Sequence, residues 1–326
     1  GMTKNFLLIA ALTITSVISL LASISLGNVP LSIADTWQAL TGNAPPLAHT
    51  LVWELRLPRA LTAFVVGAML SIAGALMQVI LRNPLADPYI LGVSGGASVA
   101  ALLAMLAGLA GAAVSLSAFI GAIFSTLLVF GVAHGSGNWS PLKVLLTGVV
   151  LAAGWGALIS LILAVSPEQG LKGMLFWLMG DLSYASSYGW ACVGLLIGFA
   201  LAYSQARPLN LLMHGGTRAA ALGVSVNRVY FAIFIIASLL TAIAVSTAGN
   251  VGFVGLIVPH LIRLSIATDH RVLLPAAVLC GGTLLVIADL CARTLISPQQ
   301  LPVGVITALL GVPLFLVILY RGKHRF

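Results

Sequence analysis

The segment QARPLNLLMHGGTRAAALGVSVNRV, residues 205–229, is the longest polar-leaning stretch in a chain that is otherwise almost unbroken hydrocarbon. It carries Arg207, Arg218 and Arg228 with no acid among them, and it holds Pro208 and the pair Gly215–Gly216. Thr217 suits a helix N-cap and Gly223 suits the left-handed position just past a helix end, so the residues between them predict two helical turns. Long apolar runs lie on both sides. A short helix with a small, slightly apolar face between two such runs reads as a docking element for a soluble partner. The alternative is an ordinary loop whose arginines only set topology.

Composition explains why this segment stands out. Of 326 residues, 60% are hydrophobic and 7% are charged, where a soluble domain has roughly 25% charged residues. No soluble fold buries that much apolar surface, so the solvent of this chain is lipid. The net charge of +8 arises from a shortage of acids, seven in all. Basic residues are dispersed singly between apolar runs, which is the pattern of topology charges and excludes a nucleic-acid-binding face. Cys192, Cys280 and Cys291 sit in apolar runs with no CxxC and no clustered histidine. They read as small buried residues and predict neither a metal site nor a disulfide framework.

Apolar runs long enough for a ~30 Å hydrocarbon core mark the spans. The first covers residues 6–26, and a short surface helix at 31–40 and a loop at 41–50 follow it. Span 2 opens at Pro58, a favoured first-turn residue, and runs to about 81. RNPLADP, 82–88, forbids a continuous helix. Spans 3, 4 and 5 cover about 91–108, 114–133 and 143–165, with the loop HGSGNWSP at 134–141. Residues 167–187, mixed and holding Trp177, Tyr184 and Lys172, predict an interfacial helix. Span 6 covers 188–204 and span 7 covers 230–247; the glycine-rich break AGNVGFVG precedes the short span 8, about 253–266. Spans 9 and 10 cover about 272–293 and 303–320, and the tail RGKHRF is basic.

Ten spans place both termini on one side. With that side cytoplasmic, Lys4, Arg82, Lys143, Arg207, Arg218, Arg228, Arg263, Arg271, Arg321, Lys323 and Arg325 are inside, eleven cations against four outside: Arg56, Arg59, Lys172 and Arg293. The positive-inside rule selects this orientation, and it puts 205–229 in the cytoplasm. Span 2 with its proline break and short span 3 faintly echoes span 7 with its glycine break and short span 8, a texture found in transporters built from repeats.

The missing chemistry narrows the function. There is no GxxxxGK[ST] and no HExxH, so the chain neither cradles ATP phosphates nor carries a zincin site. No nucleophile–base constellation is present, and His260 in VPHLIR reads as a structural histidine. Asp289 is the clearest intramembrane acid, with Arg293 one turn on as a natural partner. An ion-coupled carrier needs buried ionisable groups at mid-membrane. Their scarcity points to an external energy source, while the broken spans point to a pathway.

RLPRAL at 56–61, NPLADPYILGVSGGA at 83–97, WLMGDLS at 177–183, GFVGLIVPHLIRL at 252–264, DHRVLLP at 269–275 and LPVGVITALLG at 301–311 occur in that order. Together they resemble the membrane permease subunits of bacterial ABC importers for iron chelates and cobalamin. VWELRLPR, TDHRVLL and LPVGVITA carry the similarity toward the cobalamin members. The resemblance implies an all-α polytopic membrane protein with ten transmembrane helices, the type II ABC importer fold. The whole chain, 1–326, would be one permease domain with the coupling loop 205–229 inside it.

By the same resemblance the chain is no enzyme. It would be a homodimer in the bacterial inner membrane, with the pathway on the two-fold axis. Two copies of a cytoplasmic ATPase would use ATP and Mg²⁺, and the chain itself would bind no cofactor and no metal. A periplasmic binding protein would deliver a metal chelate: cobalamin, haem or a ferric siderophore. Thr217, Arg218, Ala219, Ala220, Leu222 and Gly223 would contact the ATPase. Asn83 and Leu85 with Pro141 and Leu142 would gate the cytoplasmic end, unless they are only a rigid turn. Gly148, Ala152, Trp155 and Ser160 of span 5 would line the pathway. Arg56, Arg59 and Arg293 would receive the binding protein's carboxylates, unless lipid headgroups, Glu54 or Asp289 satisfy them. The competing class is an ion-coupled secondary transporter or channel that acts without an ATPase.

Overall fold

The computed structural model describes residues 2–135, 140–183 and 188–321. Tyr184, the middle of the 134–141 loop and the basic tail beyond Arg321 lie outside the described residues.

Helix α1, Met2–Ser25, precedes the short α2, Ile33–Leu40, and α3, Pro46–Thr50. A π-helical turn over Leu51–Arg56 joins α3 to α4, Leu57–Ile80. Residues 46–50 are therefore helix, where two prolines had predicted loop. Pro45 is the N-cap and Pro46 the first residue, positions where a missing N–H costs nothing. The π-turn widens the helix where the ring of Pro58 meets the carbonyl of Glu54, so Pro58 continues a helix instead of starting one.

A 3₁₀ turn, Pro88–Leu91, leads into α5, Val93–Leu106, and then come α6, Ala112–Ala133, and α7, Pro141–Val165. Helix α8, Leu171–Met179, precedes α9, Gly189–Ser204. The segment 205–229 holds α10, Ala206–Leu212, and α11, Gly216–Ala221, and opens α12, Val226–Ala248. Helices α13, Val254–Ser265, α14, His270–Thr294, and α15, Val303–Arg321, complete the order.

Among the described residues, seven helices are long and apolar enough to cross a membrane, and α9 with α10, bent by 56°, makes an eighth. The short α5 and α13 bring the traverses to the ten expected. At 1.5 Å per residue α13 is only about 18 Å long, too short to cross alone. The non-helical stretch 249–253 extends it, as 87–92 extends α5. Such backbone is tolerated at membrane depth only inside protein. The Tyr89 hydroxyl accepts from the Val251 N–H at 3.1 Å, so the two breaks meet each other.

Residues 180–183 turn into the bundle: the Asp181 N–H donates to the Ala248 carbonyl at 2.8 Å, and Leu182 is buried. The described part of the stretch, 167–183, is thus a wedge against the α12–α13 break as well as a surface helix.

The centre of the bundle is α4. Of its most apolar stretch 94% is buried, against 11% for α7. It lies among α1, α9, α12, α13 and α14, and it reaches two of them through backbone. A methyl on Gly74 would sit 1.7 Å from the Gly255 carbonyl oxygen, and one on Gly67 2.2 Å from that of Gly281. Lipid tails are as apolar as leucine, so helices in a membrane gain by close approach, and these glycines give α4 that approach.

Gly74→Ala should push α13 off α4, at an overpacking cost of about 1–3 kcal/mol. Gly156→Ala on α7, where nothing lies within 4 Å, should cost almost nothing. Thermal melts of the detergent-purified proteins test this: Gly74→Ala should melt well below the parent and Gly156→Ala alongside it.

Candidate functional site

Arg56, Arg59 and Arg293 come together at one end of the bundle, around an open cavity of about 480 Å³ that Asn28, Ser183 and Gln300 also line. All three arginines are under one-tenth exposed, at 6%, 8% and 8%. Arg56 donates to the Ile24, Ser25 and Val29 carbonyls at 3.1, 3.0 and 2.5 Å. Arg293 donates to the Ser23 carbonyl at 2.7 Å and its hydroxyl at 3.1 Å. Apart from that of Val29, these are the last carbonyls of α1, which have no intrahelical donor and sit at the negative end of its dipole. Two arginines from other helices therefore cap α1.

Arg59 meets Asp289 as a fork, Nε to Oδ2 at 2.8 Å and Nη2 to Oδ1 at 2.9 Å, and its Nη1 donates to Gln300 at 2.7 Å. Arg293 Nε stands 3.9 Å from Asp289. The partner that one helical turn of spacing suggested is thus the weaker one. Both carboxylate oxygens go to an arginine 230 residues away, because the bidentate geometry is stronger. Two of the three guanidiniums pair with the one buried carboxylate, Arg56 bonds backbone carbonyls instead, and Glu54 is exposed at the rim. The cavity therefore carries excess positive charge and can accept an anionic group.

At the opposite end, α11 opens at Gly215, φ +101°, two residues earlier than Thr217 had predicted, and Gly223 follows it at φ +89°. Thr217, Arg218, Ala220, Leu222 and Gly223 are exposed, with Leu222 at 60%, whereas Ala219 is fully buried. Five of the six residues thus form one open surface, and the sixth seats the helix. Helix α10 was hidden in the sequence by Pro208, which its first turn accommodates.

Asn83 is exposed and its Oδ1 accepts from the Leu85 N–H at 2.9 Å, a side-chain turn that stops the chain after α4. Leu85 and Pro141 are half-buried, and Leu142 is 64% exposed.

Along α7 the four pathway candidates separate. Ala152 and Ser160 are exposed, whereas Gly148 is buried near Gly92. Trp155 is half-buried, its Nε1 donating to Ser125 at 2.9 Å while Ser125 donates to the Gly92 carbonyl at 2.8 Å. Ser125, a small residue in an apolar run, gave no signal in the sequence. Its role depends on three segments meeting.

A third group, at the α11 end of the bundle, joins α4, α10, α13 and α14. Arg263 donates through Nε to Gln78 at 3.1 Å and through Nη2 to the Ala75 carbonyl at 3.0 Å. Asn210 bonds both Asp269 and His270. Burial pushes the Asp269 carboxyl up, but the Arg271 N–H, the Asn210 amide and the Arg271 charge outweigh it and hold the group below its ordinary value.

The FecCD transport family matches residues 14–321. The chain is 38% identical to the hemin transport system permease protein HmuU of Yersinia pestis, covering 100% of this chain and 98% of that one. It is 39% identical to the vitamin B12 import system permease protein BtuC of Vibrio cholerae, covering 90% and 89%. A solved structure described as an inward-facing conformation of a metal-chelate type ABC transporter superposes with a TM-score of 0.83 at 33% identity, over 97% of this chain and 99% of that one. The ten traverses, the broken third and eighth spans and a match over almost the whole length agree: this multi-pass membrane protein belongs to the FecCD transport family of ABC transporter permeases.

Proposed function

We propose that two copies of this chain form the pathway of an ATP-driven importer that moves a metal chelate from the periplasm to the cytoplasm. The observation that carries this reading is the placement of two unlike surfaces at opposite ends of one bundle. One end is the arginine-lined cavity; the other is the open face of α11. A binding protein brings its carboxylates to the first, and a separate ATPase, using ATP and Mg²⁺, docks on the second. The chain lies in the inner membrane with both termini cytoplasmic. The similarity to haemin and vitamin B12 permeases supports a metal chelate as cargo, with a ferric siderophore as the third member of the class.

Helix α7, open along most of its length, supplies Ala152 and Ser160 to the pathway at the two-fold axis, and Trp155 braces them from behind. Asn83, Leu85, Pro141 and Leu142 narrow the cytoplasmic end. ATP binding draws the two α11 helices together, and the spans tilt to open one side.

Ala220→Trp puts a large ring on the open face of α11. It should lower ATPase stimulation and transport at least tenfold in proteoliposomes without changing membrane insertion. Undiminished ATPase co-purification and transport would remove the docking role of α11.

Arg56→Gln removes one charge from the cavity. Docking of the binding protein, read by surface binding, should weaken about three- to tenfold at low salt and much less at high salt, because rim charges steer association and are screened. A loss that salt does not alter would leave Arg56 with the capping of α1 alone. Uptake of labelled cobalamin, haem and ferric siderophore by the assembled transporter decides among the cargoes.

A further inference from the structure

The segment that carries α11 packs on the bundle through Leu209, Leu212 and Ala219 and is hydrogen-bonded to it through Asn210. Asn210, on α10, uses every atom of its amide. Its Oδ1 accepts from the backbone N–H of His270 at 2.8 Å and from His270 Nδ1 at 2.7 Å. Its Nδ2 donates to Asp269 Oδ1 at 2.8 Å. The backbone N–H can only donate, so the amide has one orientation, and the ring must then carry its proton on Nδ1. His270 is fully buried, and this tautomer leaves Nε2 as an acceptor, 3.4 Å from Arg263 Nη2.

Arg263 extends the chain inward. It holds Gln78 and the Ala75 carbonyl on the last turns of α4, and its Nη1 lies 3.5 Å from Met213 Sδ at the end of α10. Gln78 in turn donates to the Leu256 carbonyl of α13 at 3.3 Å. Four elements thus meet through directional bonds at the level where α9 bends into α10. Helix α11 follows directly, with Ala219 seated inward.

Packing alone would hold a loop in place. A connected set of hydrogen bonds does more, because it resists displacement along every one of its directions and polarises from end to end. We propose that Asn210, His270 and Arg263 form a clasp that makes α10 one body with the inner ends of α4, α13 and α14, so that movement of the ATPase at α11 is delivered to the core of the bundle. These are positioning residues, and the proposal rests on the reading of α11 as the ATPase contact.

Asn210→Asp tests the clasp. It keeps the acceptor for His270 and sets a second carboxylate against Asp269. With the ATPase and binding protein in proteoliposomes, ATPase co-purification and basal hydrolysis should stay within twofold of the parent. Transport per ATP hydrolysed should fall at least fivefold. Asn210→Asp with Asp269→Asn removes the like charges and returns an amide-to-carboxylate bond, and it should recover most of the lost coupling. Asn210→Ala removes the same bonds without adding charge, and it carries the test if the carboxylate lowers the yield of folded protein. Coupling within twofold of the parent in both single variants overturns the proposal. So does a loss of coupling that the exchange fails to restore, or a loss of ATPase association along with it. If the parent chain binds no ATPase, or Ala220→Trp is without effect, the docking reading itself has failed and the clasp falls with it.

Discussion

Backbone-to-backbone contact between α4 and its neighbours is the constraint on which the rest of this structure depends. In water, burying leucine would hold such a bundle together. In lipid that gain vanishes, and what remains is dispersion at close range and polar contacts between helices. Gly74 against Gly255 and Gly67 against Gly281 bring α13 and α14 to the surface of α4. Once they are there, Arg263 can reach the last turns of α4 and Asp289 can reach Arg59. The polar groups at both ends are consequences of a spacing set in the middle.

The arginines around the cavity show how one residue type serves two ends. A guanidinium buried in a membrane protein must be satisfied by its surroundings. Here α1 supplies carbonyls that need donors, and Asp289 supplies a carboxylate. Both requirements are met by the same three side chains, and positive charge still remains in the cavity. A site that is already hydrogen-bonded is also pre-organised: an incoming carboxylate meets cations whose rotamers are set before it arrives.

Much of this was legible in the sequence, because in lipid the length of an apolar run translates directly into a span. The ten traverses and the breaks before α5 and α13 follow from run lengths, prolines and glycines. So does the convergence of the arginines on one side, through the positive-inside rule. The helix before Pro58 and α10 were hidden because proline reads as an interruption, and only the structure shows the π-turn or first-turn position that absorbs it. Asp289 does pair with Arg293, as the one-turn spacing suggested, but its closer partner Arg59 was not legible, because local spacing says nothing of a fork from a helix 230 residues distant. The burial of Ala219 and Gly148 depends on which way a short or isolated helix rotates, and neither has an amphipathic pattern to reveal it.

The capping of α1 fixes an order of assembly. Helix α1 ends in carbonyls whose donors come from Arg56, and then from Arg293, 270 residues after Ser23. Asp289 and Arg59 are separated by almost the same length of chain. Neither half of this end settles alone: the early half leaves the Ser23 carbonyl and the Arg59 guanidinium without their partners, and the late half leaves Asp289 with only the 3.9 Å contact to Arg293. Synthesis must reach α14 before this end of the protein is electrically quiet, so a nascent chain that stalls earlier carries its own mark of incompleteness.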